Sequence, residues 1–276
     1  MFYITVVLYN KELNDIASKE SLIRFVEEKG HQKVEILVVD NSNPAFYKNH
    51  MDTHSDFVSI EGIAYIRNND NCGLSKAYNL AIQHAIVADK DLSKDFMMFL
   101  DDDTPIPYEY LDGVYNAYEK IIEEGSDINV ITGLISSAGL PMSPMKKYKL
   151  KFNDCDYIKE PGVYEDIICI NSGMAVRVSC LEKTEGFSEE LFLDMMDFLL
   201  LYNLSMHSLC KVQVLGLTFE QDFSGRRGDD KDSLIRRFDI YKKDFSKYCE
   251  LTKRGSLFRN VGIIKRRIAI EHKARR

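Results

Sequence analysis

The sequence predicts an α/β fold, with a mainly parallel central sheet covered by helices on both faces and further helices at the C-terminus. Three observations carry that prediction. Short, almost unbroken apolar runs alternate with stretches of helical period through the first hundred residues, the pattern of strands buried on both faces of a sheet. Acidic residues close two of those runs, at Asp40 and at Asp101. A chain of 276 residues with 45% hydrophobic and 29% charged content is long enough, and ordinary enough, to bury a sizeable core.

Phe2–Leu8 reads as the first strand. Leu13, Ile16, Leu22, Ile23 and Val26 mark one inner helix face, and residues 34–39 form a second strand ending in Asp40-Asn41-Ser42. Residues 63–66 are a third strand. Residues 73–87 are a helix with Leu74, Ala77, Ala81, Ile82 and Ala85 inward. Residues 96–100 are a fourth strand, closed by Asp101-Asp102-Asp103 and then by the proline loop Thr104-Pro105-Ile106-Pro107. Beyond it, Tyr108–Glu123 reads as a helix and 130–135 as a strand. Residues 136–166 read as an insertion or flap, and 167–170 and 174–176 as strands around Asn171-Ser172-Gly173. A helix follows over 195–206, then a last strand over 211–215, and the chain is helical and basic from Asp232.

Charge divides the chain. Residues 226–276 hold 17 Lys or Arg against 7 Asp or Glu, so a tail of +10 follows a body of −17 within a net charge of −7. The expected organisation is one α/β domain over 1–225, with halves 1–107 and 108–225, and a basic helical extension over 226–276. No stretch approaches 18 consecutive apolar residues, so no spanning helix is expected. Met1 to Leu8 has no basic leader and reads as a strand rather than a secretion signal. The six cysteines (72, 155, 169, 180, 210 and 249) are scattered without a CxxC. That argues for buried thiols in a reducing, cytoplasmic setting, not for a disulfide framework or a zinc site. The six histidines (31, 50, 54, 84, 207 and 272) show no ligand spacing.

Three constellations carry chemistry. Crowding Asp101, Asp102 and Asp103 at a strand tip is repulsive unless a cation or a tight hydrogen-bond network offsets it. Ligands of open α/β sheets bind at the carboxyl ends of strands. Asp101 and Asp103 therefore suit a hard divalent ion, Mg²⁺ or Mn²⁺, that carries a phosphorylated substrate, and Asp40 suits a nucleoside. The second constellation is the polar turn 69–73 feeding a helix N-terminus, which suits an anion within reach of Lys76; a plain capped helix explains it equally well. The third is Asp194 and Asp197, three apart at a helix start in an otherwise apolar stretch. A carboxylate in such surroundings gains proton affinity, as a general base needs.

These residues together resemble family 2 inverting glycosyltransferases of the GT-A fold, which is Rossmann-like. The resemblance lies in Val6-Val7-Leu8-Tyr9-Asn10, Val38-Val39-Asp40-Asn41-Ser42, Asn71-x-Gly73 with Asn79, and Leu100-Asp101-Asp102-Asp103-Thr104. Asn171-Ser172-Gly173, Glu185-Gly186-Phe187 and Leu191-Phe192-Leu193-Asp194-x-x-Asp197 extend it, most closely toward bacterial rhamnosyltransferase-like members. The resemblance implies a nucleotide-sugar donor, a UDP- or dTDP-sugar, bound around Leu8, Tyr9, Asn10, Asp40, Asn71, Gly73, Lys76, Asp101 and Asp102. It implies a metal on Asp101 and Asp103, and Asp197 as the acid that deprotonates the acceptor hydroxyl, with Asp194 beside it. The acceptor would be a glycan or a lipid-linked saccharide. The chain departs from the family pattern at Leu199, where a second acid is usual, and at Asn203, where an arginine is. Gln221 stands where many members have a histidine metal ligand, with Glu220 or Asp222 available to complete the site.

In the tail, Phe238, Tyr241, Phe245 and Tyr248 have helical spacing and read as packing against the body, not as a nucleic-acid platform. The interleaved cations suit an anionic lipid surface as well as a solvated face, so peripheral contact with the inner face of the plasma membrane is an expectation. Other classes fit less well. A haloacid dehalogenase-type phosphohydrolase needs its aspartates on the first strand and no Pro105. A nucleotidyltransferase needs a glycine-rich loop where Tyr9-Asn10-Lys11-Glu12 stands. A catalytically degenerate GT-A module that binds glycan or protein is the non-enzyme alternative.

Overall fold

The computed structural model describes residues 1–46, 59–68, 70–88, 91–146, 156–221 and 231–273. In chain order the elements begin with β1 (Phe2–Leu8), a short 3₁₀ turn (Leu13–Asp15), α1 (Lys19–Lys29), β2 (Val34–Asp40), β3 (Ile63–Arg67), α2 (Leu74–Ala88), β4 (Phe96–Asp101) and α3 (Tyr108–Glu123). They continue with β5 (Val130–Ser137), β6 (Leu140–Ser143), β7 (Gly162–Glu165), β8 (Met174–Arg177), α4 (Val178–Lys183), α5 (Met196–Met206) and β9 (Lys211–Glu220). Two helices close the described chain, α6 (Lys231–Leu251) and α7 (Ser256–Lys273).

The strands form one sheet in the order β3-β2-β1-β4-β8-β5-β9-β7, with β6 folded back on β5. Its first four strands pair in parallel. Beyond β4 the sheet is mixed, because β8 runs antiparallel to both β4 and β5 while β9 runs parallel to β5. Alternation along β1 divides its side chains between two cores. Phe2, Ile4, Val6 and Leu8 face α1 and α3 (Phe25, Leu111, Val114, Tyr115), while Tyr3 and Val7 join the core under α2, α5 and α6. The doubly covered α/β sheet read from the sequence is present.

Register puts the acids together. Leu8 pairs with Asp40 and Val7 with Asp101, so the two carboxylates flank the end of β1 on either side.

Three local expectations are corrected. Residues 167–170 are not a strand; Ile168 makes only an isolated bridge with Met145. The helix face expected over 13–26 is split into the 3₁₀ turn and α1, because the Ser18 hydroxyl is drawn to the loop after Asp103, donating to the Thr104 carbonyl at 2.6 Å and accepting from Ile106 N at 2.8 Å. β9 runs five residues further than its apolar pattern suggests, since past a bulge it keeps pairing with β5 as far as Glu220. The expected division near residue 225 lies outside the described residues. On its far side α6 is no loose appendage: Tyr241, Phe245 and Tyr248 are buried in the same core as α2 and α5, as their spacing predicts. Among the described residues no helix is long and apolar enough to cross a membrane. The five described cysteines are free thiols.

Candidate active site

Asp101 ends β4 and is the centre of the site. Asn171 Nδ2 donates to its Oδ1 at 3.1 Å, and Gln221 Nε2 donates to its Oδ2 at 2.7 Å. Among the described residues no lysine or arginine pairs with it or with Asp103. Burial, then the neighbouring charge of Asp103, push the Asp101 carboxyl up to about 6, against the pull of the two amides. Asp103 is exposed on the next turn of the loop.

Asp102 has a different role. Its Oδ1 pairs with Lys11 Nζ at 2.7 Å and its Oδ2 accepts from Tyr9 N at 3.1 Å, so it ties the β4 loop to the β1 loop. Asn10 sits at φ 51 and joins that loop to the end of β2, its N–H donating to Ser42 Oγ at 2.8 Å and its Oδ1 accepting from Asn43 N at 3.1 Å. Tyr9 is half exposed above this seam and Leu8 lies beneath it in the core. Asp40 is fully buried. It accepts from Ser42 N at 3.0 Å and from the Tyr65 hydroxyl at 2.5 Å.

The turn before α2 is a stitched structure rather than an open anion cradle. Asn41 Nδ2 donates to Asn71 Oδ1 at 3.1 Å, Asn41 Oδ1 accepts from Cys72 N at 3.0 Å, and Gly73 N donates to Asn71 Oδ1 at 3.1 Å. The next donor, Leu74 N, goes to the Phe192 carbonyl at 2.6 Å. Gly73 sits at φ +88, and a Cβ there would lie 2.8 Å from that same carbonyl, so only glycine lets the two chains meet. Lys76 is not brought into the acidic cluster. Its ammonium faces Glu189 at 3.7 Å, along a groove of about 630 Å³ that Cys72 and Asn79 also line. The Glu185-Gly186-Phe187 motif is likewise structural: Asn79 bonds both Phe187 N (2.9 Å) and Phe187 O (2.8 Å).

Asp194 and Asp197 have opposite fates. Asp194 forms a two-pronged pair with Arg237 of α6, Nη2 to Oδ1 at 2.7 Å and Nη1 to Oδ2. Asp194 is thus the ion-paired acid of the two. Asp197, on the first turn of α5, accepts from Phe198 N at 2.8 Å. Burial pushes its carboxyl up to about 7, and Asp194 and Asp101 add to the rise. The Phe198 and Asn171 backbone N–H groups pull the other way.

Asn171 is therefore the hub. Its side chain holds Asp101, its backbone supports Asp197, and it donates to the Tyr78 hydroxyl at 3.0 Å. Its turn is bolted in place by Gly173 N to the Phe99 carbonyl at 2.8 Å and by the Tyr110 hydroxyl to Gly173 O at 2.8 Å. The sequence motif contains Asn171, but nothing in it separates a turn-forming asparagine from one joining two acids.

Gln221 is 7% exposed, and its Oε1 has no hydrogen-bond partner among the described residues. Glu220 accepts from Gly139 N at 3.0 Å, and Asp222 lies outside the described residues. Among the described residues no group of three or more His, Cys, Asp or Glu is placed to hold a metal.

Residues 3–161 match the family described as Glycosyl transferase family 2. The chain belongs to that family. Solved structures agree at the level of fold. Residues 1–349 of S. aureus TarS, in complex with UDP-GlcNAc, match with a TM-score of 0.52 and 17% identity over 90% of this chain and 66% of that one. GalNAc-T7 with UDP, GalNAc and Mn²⁺ matches at 0.60 and 12%, over 88% of this chain and 47% of that one. A mannosyltransferase from Pyrobaculum calidifontis, in complex with GDP-Man and Mn²⁺, matches at 0.52 and 15%, over 90% and 64%. The chain thus spans less than two thirds of each of these. A search of curated proteins by sequence gave no match. In this family 2 chain the matched segment carries Asp40, Asp101 and Asp103, whereas Asn171, Asp197 and Gln221 lie beyond it.

Proposed function

We propose that the chain transfers a sugar from a nucleoside-diphosphate donor to an acceptor hydroxyl, in one inverting displacement assisted by a divalent ion. The observation that carries this reading is the pairing of Asp101 and Asp197 through Asn171, two carboxylates of raised proton affinity in different surroundings. The neighbours crystallised with UDP-GlcNAc and with GDP-Man support a nucleotide-sugar donor.

The residues fit an ion. Among the described residues Asp101 and Asp103 are crowded carboxylates without a protein cation, and Gln221 Oε1 is a buried oxygen without a partner. Mg²⁺ and Mn²⁺ are commonly held by one or two carboxylates plus substrate phosphates, so Asp101 and Asp103 would hold the ion, with Gln221 Oε1 a third donor. Such an ion supplies Lewis-acid stabilisation of the departing diphosphate. Tyr9 and Asn10 would border the nucleoside, with Asp40 beneath them holding Ser42 and Tyr65 in place for its base. Asp197 accepts the acceptor proton as the acceptor oxygen bonds to the anomeric carbon and the bond to the diphosphate breaks. A base poised near neutrality suits that task.

The acceptor as a glycan or lipid-linked saccharide, and the rhamnosyltransferase-like subtype, rest on the sequence motifs. Peripheral membrane contact is supported by Leu257, Ile264 and Ile268, exposed on α7 beside Arg266 and Arg267. A degenerate binding module is the competing reading, favoured by one observation: Gln221 donates to Asp101 where an acid-binding ion is expected.

Two variants separate the readings. Asp101→Ala abolishes Mn²⁺-dependent binding of UDP or GDP, measured by calorimetry, with the fold intact. Asp197→Asn keeps that binding and lowers donor turnover by about 10²–10⁴-fold. A wild-type chain that binds nucleotide but turns over none of UDP-GlcNAc, UDP-glucose, dTDP-rhamnose or GDP-mannose favours the binding module.

A further inference from the structure

The C-terminal helix α6 contributes a buried acid that no sequence motif marks. Asp244 is fully buried, and its carboxylate takes three successive backbone N–H groups: Phe192 at 3.1 Å, Leu193 at 2.8 Å and Asp194 at 2.8 Å. A run of adjacent N–H groups converging on one anion is a backbone nest; here the anion is the protein's own. Two turns earlier on α6, Arg237 clasps the Asp194 side chain. From the opposite side Leu74 N, the first donor of α2, takes the Phe192 carbonyl at 2.6 Å.

The segment so clamped leads straight into the proposed base. Met195 follows it at φ 65, a left-handed conformation that a non-glycine residue holds only where its surroundings over-determine it. Asp197 comes two residues later, on the first turn of α5. The left-handed turn sets the direction in which α5 starts, and so where the Asp197 carboxylate lies relative to Asp101 and Asn171. α6 itself is anchored by Phe245 and Tyr248, both buried to 1% exposure or less.

We propose that Asp244 and Arg237 are positioning residues of the active site, which makes α6 a working part of the transferase. They hold 192–194 so that Met195 stays left-handed and Asp197 meets the sugar-bearing end of the sheet. The groups that face Asp197 are Asp194 from its own segment, Asp101 from β4 and Cys169 from the segment before the Asn171 turn. The inference rests on the reading of Asp197 as the base.

The test uses the full chain with Asp244→Asn, Arg237→Met and Arg237→Lys, and Asp197→Asn as control. Asparagine at 244 keeps the shape but turns an NH₂ group toward N–H donors. Three quantities are read: Kd for UDP with Mn²⁺, kcat and KM for hydrolysis of whichever of UDP-GlcNAc, UDP-glucose, dTDP-rhamnose or GDP-mannose is turned over fastest, and amide hydrogen exchange. Asp244→Asn and Arg237→Met are expected to lower kcat at least tenfold with KM and Kd within twofold. Faster exchange should be confined to 192–198, and Arg237→Lys should recover most of kcat.

Folded Asp244→Asn and Arg237→Met chains with normal kcat and unchanged exchange at 192–198 overturn the proposal, while an inactive Asp197→Asn still upholds the base. Parallel loss of nucleotide binding, melting transition and kcat, with no recovery by lysine, also overturns it, since that is the signature of a merely structural contact. If Asp197→Asn turns over normally, the base reading falls and the positioning role with it.

Discussion

β8 is only four residues long, yet its two ends handle charge in opposite ways. At its end, Arg177 is half-buried and every branch of its guanidinium is used. Nε donates to Asn129 Oδ1 at 3.0 Å, Nη2 to the carbonyls of Ser126 (3.0 Å) and Ile128 (2.8 Å), and Nη1 to the Ser93 carbonyl. The plane also lies 4.8 Å from the centre of the Phe96 ring. At its start, the Asn171 turn meets Asp101 and Asp197, whose partners among the described residues are neutral N–H donors, and the charge of Asp103 adds to that of Asp101. A charge whose hydrogen bonds are complete holds the fold. A cluster of like charges held by neutral donors leaves free energy that a ligand of opposite sign can release, as functional sites often do.

That contrast is breakable. Arg177→Met strands three carbonyls and one side-chain amide oxygen and should cost about 2–4 kcal/mol of stability. Urea or thermal unfolding measures it, and the Kd for UDP with Mn²⁺ of the folded fraction should not change. Asn171→Ala should do the reverse. It frees the Asp101 carboxylate from one of the two amides that hold it, and so should lower donor turnover by roughly 10- to 100-fold with a smaller fall in melting temperature than Arg177→Met. If Arg177→Met impairs turnover more than Asn171→Ala does, the two ends are not specialised as described.

pH sharpens the same comparison. The carboxyls of Asp101 and Asp197 rise from an ordinary 3.8 to about 6 and about 7 in the fold. Between pH 4 and 7 the folded chain therefore keeps protons that the unfolded chain has released, and its stability falls as pH rises through that window. The acids share surroundings, so the combined loss should be about 1–3 kcal/mol, read as a lower melting temperature at pH 7 than at pH 5. Mn²⁺ with UDP should flatten that slope. Asp197→Asn should remove part of it without metal, and a slope unchanged in that variant would place the strain elsewhere.

The first half of the sheet was legible because its strands are buried on both faces, and continuous apolar runs such as 34–39 have few other readings. Strand-end acids could then be assigned to one edge by parallel pairing alone, and the register of Leu8 with Asp40 and Val7 with Asp101 bears that placement out. Roles within the site were less legible. Asp102 differs from its neighbours through Tyr9 N and Lys11, which lies 91 positions away in sequence. Asp194 and Asp197 look equivalent until Arg237 arrives from a helix whose basic composition says nothing of its partners. Asp244 sits among Lys242, Lys243 and Lys247 and reads as an ordinary surface acid, although it is fully buried. Pairings made across long sequence separations leave no periodicity to detect.

Gln221 is the finest probe of the acidic end. Its amide N–H steadies Asp101 at 2.7 Å while its Oε1 has no partner among the described residues. Under the proposed function that oxygen would be available to the ion. A histidine exchanges that arrangement for a ring nitrogen, the commonest side-chain metal ligand, and, when neutral, donates through only one nitrogen. Gln221→His should therefore tighten Mn²⁺ in the presence of UDP by up to tenfold, about 1.4 kcal/mol, and should slightly lower the melting temperature without ligand. Calorimetric titration of Mn²⁺ into the UDP-bound chain at pH 7.5 measures the first and a thermal scan the second. Weaker Mn²⁺ binding, with nucleotide binding otherwise intact, would mean that holding Asp101 is the whole of what Gln221 does, and that the ion's oxygen donors are Asp101, Asp103 and the diphosphate alone.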